Sequence, residues 1–229
     1  MAESGVRKPV GAGGNLVLWD WNGTLLDDAG YAMGVRNRVF PKFQLPSLQT
    51  LAEYHAQFTF PVKLYYTRAG VTEENFTAVA NAWMEEYVRG CDAVPLFSDA
   101  VSALDAFAGA GFAQAVLSAS QVDTLRMQLS NAGILNRFND VLGLSHIYAT
   151  SKADIGREYL SRNAFAPENC LMLGDTLHDA EVAAALGCRC VLIARGHQSR
   201  ETLLTAGNPV CETLMEAVEL ILGRKSEPV

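Results

Sequence analysis

The sequence lacks the features that would point to a membrane or to a nucleic acid. No apolar run approaches the ~20 residues that a helix needs to span a bilayer, and the N-terminal stretch is small and polar, without an apolar targeting core. The formal net charge is -7 and the pI is about 5.1, and no basic stripe is present. We therefore expect a cytoplasmic protein, a monomer or homodimer, that binds neither membrane nor nucleic acid.

Cysteine is also scarce and poorly spaced for structural roles. There are five cysteines, an odd number, and one residue separates Cys188 from Cys190, which is not the usual spacing of a zinc site. We expect reduced thiols in or near a core.

What remains is an ordinary globular composition, with 229 residues, 49% hydrophobic and 19% charged. Short apolar stretches bounded by turn residues or charge predict five buried strands, at Leu16–Trp21, Ala113–Ser118, Asp140–Leu144, Cys170–Gly174 and Cys190–Ala194. Helical spacing separates the last four, and one such segment stops at Gly187. This alternation predicts an α/β fold with a doubly wound parallel sheet.

One region breaks the alternation. Residues 28–94 carry helical patterns, such as Phe76–Val88, and no convincing buried strand. We predict a helical insert over 28–94, and a core domain formed by residues 1–27 and 95–229.

The chemistry-bearing residues follow the predicted strands, where parallel sheets bind ligands. The first strand ends in Asp20-Trp21-Asn22-Gly23-Thr24, and the second ends in Ser118-Ala119. Gly174-Asp175 ends the fourth strand, with Asp179 four residues on, and Lys152 begins a predicted helix before that strand. Taken singly, Ser118 could be a turn residue, Lys152 a solvated charge and Asp175 a helix N-cap. Together they predict carboxylates, a hydroxyl and a cation at one sheet edge.

In this order, these motifs resemble those of the haloacid dehalogenase superfamily of hydrolases, and they span nearly the whole chain. The resemblance implies that Asp20 attacks phosphorus and forms an aspartyl-phosphate. It implies Mg²⁺ as cofactor, with Asp20, the backbone carbonyl of Asn22 and Asp175 as ligands, and Asp179 as ligand or support. Ser118, the backbone at Ala119 and Lys152 would bind the phosphate of a small phosphorylated substrate.

The sequence departs from the family pattern at Asn22. The corresponding aspartate in family phosphatases protonates the leaving oxygen and then activates water, and an amide can do neither. Three explanations stay open. Another group, such as His178 or Asp27, supplies the proton; the enzyme is slow or specialised for a good leaving group; or the asparagine was introduced to trap an intermediate.

The insert resembles the helical cap of many family members, and the layout is most similar to the phosphoglycolate phosphatase group. A cap would close over the site and contact the substrate beyond its phosphate. Lys63 and Arg68 are the candidate contacts for a second anionic group. The leading hypothesis is a Mg²⁺-dependent phosphomonoesterase with a phosphoglycolate-like substrate. The alternative is a catalytically weakened member, with Asn22 in place of the acid/base, that binds a phosphorylated ligand without efficient turnover.

Overall fold

The chain forms a parallel sheet covered by helices on both faces. The structure, a computed structural model, describes residues 14–144 and 151–223. The strands among these residues are β1 Leu16–Trp19, β2 Ala113–Gln121, β3 Asp140–Leu144, β4 Cys170–Gly174, β5 Arg189–Ile193 and β6 Val210–Cys211. Their order across the sheet is β3-β2-β1-β4-β5-β6, and every pair is parallel. The predicted α/β class and parallel sheet are confirmed.

Helices fill the connections. They are α1 Ala29–Val39, α2 Leu51–Gln57, α3 Val62–Arg68, α4 Phe76–Val88, α5 Ala100–Gly109, α6 Val122–Asn131, α7 Lys152–Arg162, α8 Leu177–Leu186, α9 Arg200–Leu204 and α10 Leu214–Leu222. None of these helices, among the residues described, is long and apolar enough to cross a membrane.

The central strand explains why both faces of the sheet are covered. In β1 the side chains of Val17 and Trp19 join the apolar cluster that includes α5, α6 and α10. Leu16 and Leu18 point to the other cluster, which includes α7, α8 and α9. All four are fully buried. A strand apolar on both sides needs a helical layer on each side, which is the doubly wound arrangement.

The region after β1 is helical, as predicted. The helices α1 to α4 enclose a separate apolar cluster that includes Val35, Phe40, Tyr66 and Val79. The predicted helix over Phe76–Val88 is confirmed as α4. The boundaries of the insert at residues 28 and 94 stay predictions.

Strand ends differ slightly from the sequence prediction. The strand β1 ends at Trp19 rather than Trp21, although the Asp20 N–H still donates to the Leu173 carbonyl at 2.8 Å. The strand β2 continues past Ser118 to Gln121, with an irregular register against β3. The edge strand β6 was missed, because two residues carry no recognisable alternation.

The order of the strands positions the site. β1 lies between β2 and β4, so the residues that follow these three strands meet at one edge. The chain also changes direction across the sheet between β1 and β4, which is where doubly wound folds open a crevice for ligands.

We predict that Gln114→Leu destabilises the fold by roughly 2–4 kcal/mol, because it orphans two buried polar groups. Gln114 is buried on β2, accepts a hydrogen bond from the Trp19 indole at 2.9 Å and donates to the Leu104 carbonyl at 3.0 Å. Chemical denaturation measures the loss. Gln49→Leu, at an exposed position, is the matched control and should change stability by less than about 0.5 kcal/mol. Equal effects of the two variants would contradict the prediction.

Candidate active site

Three carboxylates and one ammonium lie together at the carboxyl edge of the sheet. Ligand oxygens of Asp20, Asp175 and Asp179 all lie within 4.8 Å of one another. The Lys152 Nζ donates to Asp20 Oδ1 at 2.6 Å and to Asp179 Oδ1 at 2.6 Å. All four side chains are buried. The four residues that strand-end reasoning singled out are therefore brought into one cluster.

Local backbone features fix these groups in place. Lys152 is the first residue of α7, whose N-cap Ser151 accepts a hydrogen bond from the Asp154 N–H. Asp179 closes a capping box at the start of α8, with its Oδ2 accepting from the Thr176 N–H at 3.0 Å and hydroxyl at 2.7 Å. Both Asp179 oxygens are thus occupied, which suits an orienting role toward Lys152.

Glycine is required where the backbone crowds the carboxylates. Gly23 has φ of 72°, and a Cβ built there would collide with the Asp175 carboxylate. A Cβ at Gly174 would collide with Asp179 in the same way. The glycines of both motifs are therefore part of the site's shape.

The cluster contains three carboxylates and one ammonium, and all four are buried. Burial raises the pKa of Asp20 to about 8, because Lys152 does not offset burial together with repulsion from Asp179 and Asp175. Burial also raises the pKa of Asp175 to about 6, against the opposing effect of His197. Burial favours the neutral form of Asp179 as well, but Lys152 holds the pKa of Asp179 below its usual value. One ammonium therefore serves mainly Asp179, and the excess falls on Asp20 and Asp175.

This donor set suits a hard divalent cation. Mg²⁺ takes carboxylate and carbonyl oxygens and keeps several waters. Asp20 Oδ2 has no hydrogen-bond donor among the described residues, and Asp175 accepts only from the Thr24 hydroxyl at 3.1 Å and the His197 N–H at 2.6 Å. A cation beside these two carboxylates would favour their charged forms, against the burial that raises the pKa of each.

The end of β2 supplies the other wall of the site. Ser118 is buried, and its hydroxyl oxygen accepts from the Ser120 N–H at 3.1 Å. Ser118, Ala119 and Ser120 line the same cavity as Asp20 and Lys152. The structure thus brings the predicted phosphate-binding residues close to Asp20, the predicted nucleophile.

The Asn22 amide is fully engaged in hydrogen bonds. Its Nδ2 donates to Asp28 Oδ2 at 2.7 Å and to the Tyr87 hydroxyl at 2.8 Å. Its Oδ1 accepts from the Ser120 hydroxyl at 3.0 Å. Both N–H groups and the carbonyl are used, so the amide is held in one orientation between core and insert.

A buried ion pair adjoins this amide, and sequence reasoning missed it. Asp28 Oδ1 lies 3.2 Å from the His197 Nε2, and the His197 Nδ1 lies 2.8 Å from the Tyr54 hydroxyl. Burial works against a charged His197, but Asp28 outweighs it and raises the pKa of His197 to about 9. Burial likewise opposes a charged Asp28, but His197 and hydrogen bonds from Tyr87 and Asn22 hold the pKa of Asp28 below its usual value. The only signals were an acidic pair after the first motif and a histidine four residues beyond β5.

The two proton donors suggested from sequence lie in different places. His178 lines the cavity, where its ring stacks on Phe60 with centroids 4.7 Å apart. Asp27 is exposed and does not line the cavity; its buried neighbour Asp28 takes the position beside Asn22. The sequence thus pointed one residue away from the carboxylate at the site.

The reaction groups form the floor of a cavity of about 390 Å³. Its upper walls come from the helical insert, through Tyr54, Phe58, Phe60, Tyr65, Trp83 and Met84. Lys63 and Arg68 are not among the described residues that line it. Lys63 instead pairs with Glu73 at 2.7 Å on the surface. The predicted substrate contact by these two cations has no support in this arrangement.

The structure places an acidic cluster at the carboxyl edge of a parallel sheet, beside a cavity that is also lined by the helical insert. Family comparison is consistent with this: a model of haloacid dehalogenase-like hydrolases matches residues 17–193. The chain belongs to this family of hydrolases. The motif reading made from the sequence is confirmed at the level of the family.

Solved structures share this fold over nearly their full length. A predicted phosphatase from Clostridium acetobutylicum is 20% identical, with a TM-score of 0.79 over 93% of this chain and 100% of that one. A haloacid dehalogenase-like hydrolase from Streptococcus pneumoniae is 18% identical, with a TM-score of 0.78 over 90% and 98%. A predicted phosphoglycolate phosphatase from Haemophilus somnus is 17% identical, with a TM-score of 0.76 over 90% and 97%. A comparison with curated proteins finds no match.

Mg²⁺ binding at pH 7 should release about one proton per ion, because the cation displaces the proton that the raised pKa of Asp20 retains. Calorimetry in two buffers of different ionisation enthalpy measures this release. Asp20→Asn is the isosteric control and should bind Mg²⁺ more weakly with little proton release. Binding without proton release in the unmodified chain would contradict the assignment.

The His197–Asp28 pair should make stability fall as pH rises. A raised histidine pKa contributes stability that is complete below the unfolded value of 6.5 and is lost as pH passes about 9. The expected loss is about 3 kcal/mol. Chemical denaturation with a chelator present measures it, and His197→Gln should remove this part of the slope. The comparison is needed because Asp20 contributes a slope of the same sign. Parallel curves for the two proteins would rule out the pair.

Proposed function

We propose that the chain is a Mg²⁺-dependent phosphomonoesterase that hydrolyses a small phosphorylated metabolite through an aspartyl-phosphate on Asp20. The observation that carries this is the state of the Asp20 carboxylate at the cavity floor. Lys152 fixes its Oδ1 at 2.6 Å, while no described residue donates to its Oδ2. One oxygen is anchored and the other is available to attack phosphorus.

The surrounding groups suit the charge of phosphoryl transfer. Lys152 would hold both the nucleophile and a phosphate oxygen, and the Ser118 hydroxyl and the backbone N–H groups after it would bind the remaining oxygens. Mg²⁺, held by Asp20, the Asn22 carbonyl and Asp175, would supply neutralisation of the carboxylate and phosphate charges. Asp179 would keep Lys152 in place through its own 2.6 Å contact.

Asn22 affects both steps of the proposed reaction, which are formation of the aspartyl-phosphate and its hydrolysis. The Asp20 oxygen attacks phosphorus, the bond to the leaving oxygen breaks, and that oxygen departs without a proton from residue 22. Water must then attack the aspartyl-phosphate without a carboxylate base at this position. General acid–base catalysis is typically worth ~10²–10⁴-fold. The phosphorylated enzyme should therefore accumulate when the leaving group is good.

A ligand-binding protein without efficient turnover is the second candidate. The full engagement of the Asn22 amide with Asp28, Tyr87 and Ser120 favours it, since this amide neither donates to nor activates anything else. A cytoplasmic location, a monomeric or homodimeric state and a phosphoglycolate-like substrate stay predictions.

The test is Mg²⁺-dependent phosphate release from phenyl phosphate and phosphoglycolate, followed together with intact mass after acid quench. We expect a burst of leaving group, a phosphorylated protein and slow steady turnover. Asp20→Asn should abolish all three. Mg²⁺-dependent ligand binding with neither phosphoenzyme nor turnover would favour the second candidate and overturn the first.

A matched pair of variants separates the roles of residues 22 and 28. Asn22→Asp alone puts a carboxylate where the amide now lies 2.7 Å from Asp28, so one of the two must hold a proton. The double variant Asn22→Asp with Asp28→Asn keeps one amide and one carboxylate in contact. We expect the double variant to raise steady turnover by about 10²-fold and the single variant to raise it less. No gain in either would show that the lost acid/base does not limit the rate.

A further inference from the structure

The upper part of the cavity is apolar and largely aromatic. Asp28, the first residue of the predicted insert, lines the cavity beside Asn22, and no described lysine, arginine, aspartate or glutamate from 29 to 94 does so. The aspartates, lysine and histidines of the lining are Asp28 and residues of the core. The insert contributes tyrosine hydroxyls that stay neutral, because burial raises the pKa of each; they belong to Tyr54, Tyr65, Tyr66 and Tyr87. A substrate that fills this space therefore meets charge only at its phosphate end.

The mouth of the cavity exposes large apolar side chains. Met84 is 55% exposed, and Val62 and Val88 are each 40% exposed, and all three line the cavity. Apolar side chains at a concave site gain free energy when an apolar ligand covers them, at about 25 cal/mol per Å².

The walls also present flat rings. Trp83 stacks on Tyr87 with centroids 4.9 Å apart and planes 18° apart. Phe58 stacks on His197 with centroids 4.9 Å apart, and Phe60 stacks on His178. Fixed aromatic faces favour an aromatic ligand over a flexible polar one of the same size.

The chemistry at residue 22 makes an independent demand. The Asn22 amide has no proton to give, so the leaving oxygen departs most readily when its group stabilises the negative charge. A phenolic oxygen, with a pKa of about 10, is several units less basic than an alkoxide. Cavity and catalytic residue thus select the same kind of leaving group.

We propose that the substrate is an aryl phosphate, a monoester of a phenol-type hydroxyl on an uncharged aromatic group; this rests on the phosphatase function proposed above. Asp20 Oδ2 attacks phosphorus and the bond to the aryl oxygen breaks. The electron pair leaves on the phenolate, which takes a proton from water. Hydrolysis of the aspartyl-phosphate then gives inorganic phosphate and restores Asp20.

Arg36, a buried cation of the insert, is a possible partner for a different, anionic substrate. The Arg36 Nε and Nη1 have no partner among the described residues. A carboxylate on the substrate would satisfy them. Arg36 is, however, fully buried outside the cavity lining, stacks on Phe40 at 4.5 Å and donates to Gln57 at 3.1 Å. A ligand in the cavity does not reach it in this structure.

The test compares three phosphate monoesters. Phenyl phosphate and benzyl phosphate share an aromatic ring but differ in the acidity of the leaving hydroxyl, and phosphoglycolate has no ring. Phenyl phosphate should exceed benzyl phosphate in kcat/KM by about 10²-fold or more, because benzyl alcohol is the poorer leaving group. Phosphoglycolate should be poorer still. Met84→Ala should raise KM for phenyl phosphate by about 3- to 10-fold with the burst retained. Leu64→Ala is the matched control, 40% exposed on the same insert but outside the cavity lining, and should have no effect.

Acetyl phosphate tests the phosphatase function separately from the aryl phosphate substrate, since it needs neither an aromatic pocket nor a protonated leaving group. A phosphoenzyme from acetyl phosphate, combined with higher kcat/KM for phosphoglycolate than for phenyl phosphate, overturns the aryl proposal and leaves the phosphatase standing. Loss of phosphoglycolate turnover alone in Arg36→Met would also overturn it. Failure of every donor to phosphorylate Asp20 removes the phosphatase function instead.

Discussion

The site depends on one constraint: three carboxylates are buried around a single ammonium. Lys152 comes from α7, Asp20 follows β1, and Asp175 and Asp179 come from the end of β4 and the start of α8. These elements pack only if their charges are compensated, because an unpaired buried carboxylate costs several kcal/mol. Lys152 supplies part of the compensation. The remaining negative charge would favour a bound cation at this edge of the sheet, and such a cation would in turn attract a phosphate.

Asn22 is better understood together with Asp28 than as an isolated loss. Residue 22 has no carboxylate, but the Asp28 carboxylate accepts a hydrogen bond from the Asn22 amide at 2.7 Å. Asp28 is buried and paired with His197. Tyr87, which donates to Asp28, and Tyr54, whose hydroxyl lies beside the His197 Nδ1, both belong to the insert. The contacts of Asp28 and His197 therefore connect the insert to the core.

The sequence predicted the parts of the site that follow strands and the parts that repeat a motif. Asp20, Lys152 and Asp175 each stand at a strand end or helix start and Ser118 lies near the carboxyl end of β2, so the parallel topology brings them together. Asp28 and His197 lie 169 residues apart, and no spacing encodes their contact. The position of Lys63 outside the cavity lining could not be predicted for a related reason. Which face of α3 meets the cavity depends on how the short insert helices pack, and the neighbouring Val62 faces it instead.

The lining of the cavity and the amide at residue 22, where the family has a carboxylic acid, both bear on the kind of leaving group that the site accepts. A charged alkyl phosphate would need a countercharge on the insert side and a proton at the leaving oxygen. From 29 to 94 the described insert lines the cavity with aromatic and aliphatic side chains and no lysine or arginine, and residue 22 supplies an amide with all its hydrogen bonds made. Each feature alone would suggest a weakened enzyme. Together they suit a leaving group that is stable as an anion, such as a phenolate, because that group can depart without receiving a proton from residue 22.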